Sequence, residues 1–226
     1  MGEFYMNRPD IIFFDIDGTL LDFGKKDLSP KTREALLKLR ANGIRICIAT
    51  GRSPLAVPKF AGVEFDAYLT YNGCYCYEGS KTIYSNPMPQ TDVQTIIWNA
   101  EDMGRALSVA TKDRLISNGT DQDLEEYYAF GSQKVIISEE FDEVSRGEVY
   151  QLLMACRKEE YARVLRNTSG AKITSWWDRA VDIIPADGGK GTGIAKMLEY
   201  YGIDRSRAMA FGDGNNDIEM FQAVDM

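Results

Sequence analysis

The 226-residue chain contains no histidine, and that absence removes whole classes of chemistry. Ser-His-Asp and Cys-His nucleophiles need an imidazole to carry their proton, and nitrogen-rich metal sites need it as a ligand. Any general acid or base working near neutral pH must then be Asp, Glu, Lys, Tyr or Cys. Cysteine is scarce: Cys47, Cys74, Cys76 and Cys156. Cys74-Tyr75-Cys76 lacks metal-site spacing, and period-two alternation puts both thiols on one face of a strand. All four read as reduced packing residues. Positive charge is in deficit, with 26 Lys+Arg against 34 Asp+Glu and a formal net charge of −8. That balance excludes a non-specific nucleic-acid binder, which needs a basic face. No apolar run approaches the roughly 20 residues of a membrane helix. The N-terminus lacks a basic stretch leading into an apolar one, so no signal peptide is visible. Met1-Gly2 suggests myristoylation, but Met6 stands where Ser or Thr is required. No membrane partner is expected, and a cytoplasmic location is the default.

What is present is concentrated at the ends of three apolar runs. Ile11-Ile12-Phe13-Phe14 ends in Asp15-Ile16-Asp17-Gly18-Thr19. A short continuous apolar run fits a strand covered on both faces, as in a parallel sheet. Open α/β sheets place ligands at the carboxyl ends of such strands. Two acids one residue apart repel unless a cation lies between them, and beside phosphate the usual hard cation is Mg²⁺. Alone, the pair reads equally well as a turn or helix cap.

Three further segments change that weighing. Ile44–Ala49 ends in Thr50-Gly51-Arg52, where a hydroxyl can donate to a phosphate oxygen and a glycine lets the backbone approach. Gly188–Gly193 surrounds Lys190 at the start of a helical pattern. A cation there opposes the helix dipole, which suggests an anion shared with the helix amides. Ala208–Phe211 ends in Gly212-Asp213-Gly214-Asn215-Asn216-Asp217, followed by a short helical run at 218–221. Three strand ends and one helix start thus supply carboxylates, a hydroxyl, a lysine and an amide, the parts of a metal-assisted phosphoryl-transfer site.

The order of these segments resembles the four motifs of the haloacid dehalogenase (HAD) superfamily, and within it the Cof-like phosphatases with a large inserted cap. Asp15–Thr19, Thr50–Arg52, Lys190 and Gly212–Asp217 look like motifs one to four, and Thr70-Tyr71-Asn72-Gly73 matches the run leaving the core for the cap. The resemblance covers the whole chain. It implies Asp15 as nucleophile and Asp17 as acid/base. It also implies Mg²⁺ held by Asp15, the Asp17 carbonyl and Asp213. Asp217 would act through water or orient Lys190. Thr50, Gly51, Arg52, Lys190 and Asn216 would hold phosphate or substrate. The implied substrate is a small phosphorylated metabolite, with sugar phosphates first and phosphorylated cofactors such as flavin mononucleotide or pyridoxal phosphate next. A phosphotransferase or mutase using the same aspartyl phosphate is the alternative. A non-enzymatic phospho-acceptor switch is a third reading, but it has no use for Asp17 as acid/base or for a cap.

Secondary-structure signals give the organisation. Ser29 caps a helix begun by Pro30, with Ala35, Leu36 and Leu39 as its stripe and Gly43 as its stop. A strand at 66–70 and a hairpin at 74–77 and 82–84 follow. Beyond Pro87 and Pro89 the pattern changes to a helix at 90–103, then strands at 107–110, 114–117, 135–137 and 151–154. A helix at 157–167 and strands at 172–177 and 180–184 complete that region. Trp176 and Trp177, being adjacent, can present only one ring to the cap interior from a strand. The other ring lines the cleft or covers a sheet edge; the structural reading is preferred for that pair, and Tyr127-Tyr128 has the same ambiguity. The expected fold is a doubly wound, mainly parallel, Rossmann-like α/β core at 1–85 and 186–226 with an α+β cap inserted at 86–185. Relative to the resembled family, the C-terminal end of the core reads as truncated.

Overall fold

A computed structural model describes residues 8–22 and 24–226. The readings of the first residues, on leaders and acylation, lie outside the described residues. Each of the three apolar runs that end in polar clusters becomes a short strand. In chain order the elements begin with β1 (Ile11–Phe14), α1 (Pro30–Ala41), β2 (Arg45–Ala49), β3 (Ala67–Thr70), β4 (Tyr75–Glu78) and β5 (Lys81–Ser85). Next come α2 (Gln90–Asp102), β6 (Leu107–Ala110), β7 (Leu115–Ser117), α3 (Gln122–Phe130), α4 (Phe141–Val144), β8 (Gln151–Ala155), α5 (Tyr161–Val164), β9 (Ala171–Thr174) and β10 (Ala180–Pro185). The chain closes with α6 (Lys190–Tyr201), β11 (Ala208–Phe211) and α7 (Ile218–Ala223).

The first sheet runs in the order β11-β1-β2-β3-β4-β5. β11, β1, β2 and β3 pair in parallel, and β4 and β5 continue it antiparallel. Alternation along β1 shows why the run is apolar throughout. Ile11 and Phe13 pack with Ile194, Met197 and Leu198 of α6, while Ile12 and Phe14 pack with Leu36 of α1. The sheet is therefore wound on both faces, as expected. Of the α1 stripe, Leu36 is buried and Leu39 partly so, but Ala35 is exposed. Ser29 caps α1 by accepting from the Thr32 amide at 3.0 Å.

The second sheet is antiparallel, in the order β7-β6-β8-β10-β9. Leu152, Met154, Val181 and Ile183 face α2 in one apolar cluster. The alternate residues Leu153, Ala155, Ala180 and Ile184 share a cluster with Tyr71, Cys74 and Tyr75, next to the first sheet. That inward face also carries Gln151 and Asp182, both buried.

Several expectations need correction. Val135–Ile137 is not a strand: a single bridge joins Ile137 to Ser117, and Ile136 and Ile137 are each 59% exposed. The helix expected at 157–167 is a 3₁₀ turn followed by the single turn α5. β9 ends at Thr174, so Trp176 and Trp177 lie in a bend where strand alternation does not apply. Both rings stack against Tyr127, at 5.3 and 6.1 Å. Cys74 lies in the turn before β4, so it packs in a different cluster from Cys76 rather than on the same face. All four cysteines are buried and free, as packing residues should be. The helix α3 was not foreseen. Its signal was there in Asp121, which caps it by accepting from the Leu124 amide at 2.9 Å, and in Leu124, Tyr127 and Tyr128 at helical spacing.

Candidate active site

The strand ends converge. At the end of β1, Asp15 is buried and its amide donates to the Phe211 carbonyl of β11 at 2.9 Å. The chain then turns tightly through Gly18, whose φ is +87°. A Cβ there would lie 2.1 Å from a carboxylate oxygen of Asp213, so only glycine permits this approach. Thr19 donates its hydroxyl to Asp213 at 2.7 Å, tying the first strand end to the last. At the end of β2, buried Thr50 accepts the Arg52 amide on its hydroxyl at 3.2 Å.

Lys190 opens α6 and is buried. Its ammonium donates to Asp15 at 2.6 Å and to Asp217 at 2.5 Å. The other oxygen of Asp217 accepts the amides of Asp213 and Gly214 at 3.0 and 2.9 Å. Burial alone would drive Lys190 toward its neutral form, but the two carboxylates outweigh it and hold the ammonium above its ordinary value. Burial pushes Asp15 up to about 6, with Lys190 pulling it back and Asp217 adding to the rise. The lysine expected to bind phosphate is thus seen to clamp the acid cluster.

Asp15, Asp213 and Asp217 each offer an oxygen within 4.8 Å of the others. Three carboxylates against one ammonium leave the cluster net negative, and every donor is a hard oxygen. That donor set fits a divalent cation of the Mg²⁺ type. The Asp17 carboxylate is turned away from the cluster. Arg52 grips it with two hydrogen bonds, at 2.8 and 2.5 Å. The structure therefore places Arg52 on the second acid rather than on an open phosphate position.

Asp15, Asp17, Thr50, Gly51, Arg52, Asp213, Asn216 and Asp217 all line one cleft of about 280 Å³. Its opposite wall comes from the second sheet and α3, including Tyr127, Phe130, Gln151, Trp176 and Asp182. Tyr127 and Trp176, for which the sequence favours the structural reading, thus line the cleft, while Phe130, Gln151, Asp182 and the role of Asn72 escaped the sequence reading. Asn72 follows Tyr71 with both in the left-handed region, at φ +52° and +51°. Such backbone costs about 1–3 kcal/mol per residue and persists only where contacts over-determine it. Tyr71 is held by its hydroxyl on the Thr111 carbonyl at 2.6 Å. Asn72 is held by three side chains: it donates to Asp182 at 3.0 Å and to Gln151 at 3.2 Å, and accepts from Asn216 at 3.1 Å.

The family model for haloacid dehalogenase-like hydrolases matches residues 12–226, so the chain belongs to that family. Within it, several similar proteins are named as phosphatases. YkrA of Bacillus subtilis, provisionally named a phosphatase, is 31% identical over 95% of this chain and 83% of its own. The pyridoxal phosphate phosphatase YbhA of Escherichia coli is 26% identical over 95% of this chain and 85% of its own. Among solved structures, the HAD subclass IIB sugar phosphatase BT4131 superposes with a TM-score of 0.86 at 31% identity, covering 95% of this chain and 85% of that one. The protein is accordingly an enzyme of the HAD phosphatase branch, a hydrolase of phosphate monoesters with the Cof-like pairing of core and cap.

Proposed function

We propose that the protein is a Mg²⁺-dependent phosphatase that removes phosphate from a small metabolite through an aspartyl phosphate on Asp15. The observation that carries this reading is the position of Asp15. It is a buried carboxylate at the mouth of a cleft, clamped by Lys190, beside two further acids and two residues from Asp17. Asp15, Asp213, Asp217 and the Asp17 carbonyl would hold the cation, which when bound would neutralise the acids and the phosphoryl charge.

The Asp15 carboxylate attacks phosphorus in line, and the bond to the leaving oxygen breaks as Asp17 delivers a proton to that oxygen. Asp17 then takes a proton from water, whose oxygen attacks the phosphorus and frees Asp15 with inorganic phosphate as product. Both oxygens of Asp17 are occupied by Arg52 in this state, so catalysis requires Arg52 to let go. An arriving substrate oxyanion is a natural competitor for that guanidinium. Thr50, the Gly51 amide, Lys190 and Asn216 are assigned to the equatorial phosphoryl oxygens, where charge spreads in the transition state.

Residues 86–185 act as the cap over the leaving group, and 1–85 with 186–226 as the catalytic core. Sugar phosphates lead as substrates, in line with the name of BT4131. Phosphates of flat heteroaromatic rings come second. The cleft wall of Tyr127, Trp176 and Phe130 favours a flat ring, and YbhA is named for such a substrate. A cytoplasmic setting suits four unpaired thiols, and no described helix is long and apolar enough to cross a membrane. The test is release of inorganic phosphate from a panel of phosphorylated metabolites, with Mg²⁺ and with chelator. Activity that is independent of divalent metal, or that is undiminished in Asp15→Asn, overturns the reading.

A further inference from the structure

A line of hydrogen bonds runs from the aromatic wall of the cleft to the phosphate side. Trp176 Nε1 donates to the Tyr127 hydroxyl at 3.0 Å, and that hydroxyl donates to Asp182 Oδ1 at 2.9 Å. Asp182 Oδ2 accepts from Asn72 Nδ2 at 3.0 Å, and Asn72 Oδ1 accepts from Asn216 Nδ2 at 3.1 Å. The direction of every bond is fixed by its neighbours. An indole nitrogen only donates, so the Tyr127 hydroxyl must accept from it and pass its own hydrogen to Asp182. An ionised carboxylate only accepts, so Asn72 must turn its NH₂ toward Asp182. Gln151 reinforces this, because its Oε1 accepts from the same NH₂ at 3.2 Å while its Nε2 donates to the Gly51 carbonyl at 3.2 Å. Asn72 then has only its carbonyl left for Asn216, and Asn216 must present its NH₂ rather than its carbonyl on this side.

An amide NH₂ carries two hydrogens. Asn72 takes one, and the other is available to a phosphoryl oxygen in the cleft that Asn216 lines. If the Asn216 amide were flipped, it would offer its carbonyl oxygen to an anion. We infer that Asp182 is a positioning residue that acts through Asn72 to fix the Asn216 amide with its donor toward the transferring phosphoryl group. This rests on the proposed role of Asn216 in holding phosphate. Asp182 lies on the cap strand β10, Asn72 in the turn after β3 and Asn216 after β11, so the line also records that cap and core are together. Maintaining a dry carboxylate here has a cost: burial pushes Asp182 up to about 7, although its hydrogen bonds from Tyr127 and Asn72 pull it back. A neutral side chain would avoid that cost but would not impose a direction on the line.

The test is a double-mutant cycle at pH 8 with Mg²⁺ present, with the Kd of inorganic phosphate measured by calorimetry. The kcat/KM for p-nitrophenyl phosphate, a substrate with a small leaving group, is the second readout. Asp182→Asn lets the line reverse, and Asp182→Ala removes its acceptor. Each should weaken phosphate binding by about 10–100-fold, the loss expected for one hydrogen bond to a charged group. In the Asn216→Ala background, the same two changes should each shift the Kd by less than about twofold, because the lever they act on is gone. If one Asp182 variant fails to fold, by its circular dichroism, the other completes the cycle. The proposal is overturned if the Asp182 variants weaken phosphate binding equally with and without Asn216, or leave it unchanged. It also falls if Asn216→Ala alone leaves the Kd unaltered. Failure of the parent protein to release phosphate from any substrate would instead sink the phosphatase reading, while the binding cycle would still report on Asp182.

Discussion

Removal of the Lys190 charge tests whether the acid cluster is as dry as its burial indicates. Lys190→Met keeps the length and apolar stem of the side chain but leaves Asp15 and Asp217 facing each other without their shared partner. Lys190 and Asp217 are each 1% exposed and Asp15 6%, so water cannot take over the role of the ammonium. Breaking a buried ion pair from one side costs about 3–5 kcal/mol. For a chain of this size each kcal/mol moves the melting temperature by about 2–4 °C, so a drop of roughly 6–20 °C is expected at pH 8 in chelator. The deficit should shrink as pH falls. Burial raises Asp15 and Lys190 is what pulls it back, so without the lysine the folded chain holds a proton on Asp15 more tightly than the unfolded one and its stability rises as pH is lowered toward 5. Mg²⁺ should raise the melting temperature of Lys190→Met more than that of the parent, because the variant's carboxylates lack any other cation. Differential scanning fluorimetry over pH, with and without Mg²⁺, measures all three effects. A variant that melts within about 2 °C of the parent in chelator at pH 8 refutes the picture of a dry, lysine-clamped cluster.

Further outcomes follow from the same geometry. Asp15→Asn should lower phosphate release by at least about 10³-fold with the fold intact, since a nucleophile and a metal ligand go together. Retention of more than about a tenth of the activity would remove Asp15 from its role. Asp17→Asn should cost about 10²–10⁴-fold on alkyl phosphates but less in the first step on p-nitrophenyl phosphate, whose leaving group needs little protonation. Equal losses on both, read by rapid-quench kinetics, would count against Asp17 as the acid. Asp182 should leave a signature in stability. Its pKa is raised in the fold from the model-peptide range to about 7, so its favourable contribution is complete below about pH 4 and is lost as pH rises through 7. Asp182→Asn lacks that slope, and denaturant titrations should show it gaining roughly 4 kcal/mol on the parent between pH 4 and pH 8. Parallel stability curves would show that the carboxylate is not desolvated.

The centre of the first sheet was legible because β1 and β2 are buried on both faces. Each reads as an apolar run that stops where polar residues begin, and those polar residues are the ones brought together at the cleft. Lys190 was visible for a related reason, as a cation at the start of a helix where the dipole disfavours it. Its sequence could not show that the ammonium would be shared between Asp15 and Asp217, because those partners are 175 and 27 residues away. Nor could it show Arg52 folded back on Asp17 across 35 residues. The second sheet was less legible. Val135–Ile137 has strand-like side chains but no neighbouring strand to pair with beyond one bridge, and Trp176-Trp177 sits in a bend to which no alternation applies.

The cap did carry one readable clue to the site, in its polar exceptions. β10 reads Ala-Val-Asp-Ile-Ile-Pro and β8 reads Gln-Leu-Leu-Met-Ala, each an apolar strand with a single hydrogen-bonding side chain. A buried polar group must find a partner, and one inside an apolar strand cannot find it among its neighbours in that strand. Alternation puts Asp182 in step with Ala180 and Ile184, and Gln151 in step with Leu153 and Ala155. Those four apolar residues belong to the cluster that meets the first sheet, so partners from the core are within reach on that face. They are Asn72 and the Gly51 carbonyl, together with Tyr127 from α3 above the same cleft. The lone acid in a hydrophobic strand thus marks the face that the second sheet turns toward the cleft. Because that carboxylate can only accept, it gives the Asn72–Asn216 line a fixed direction.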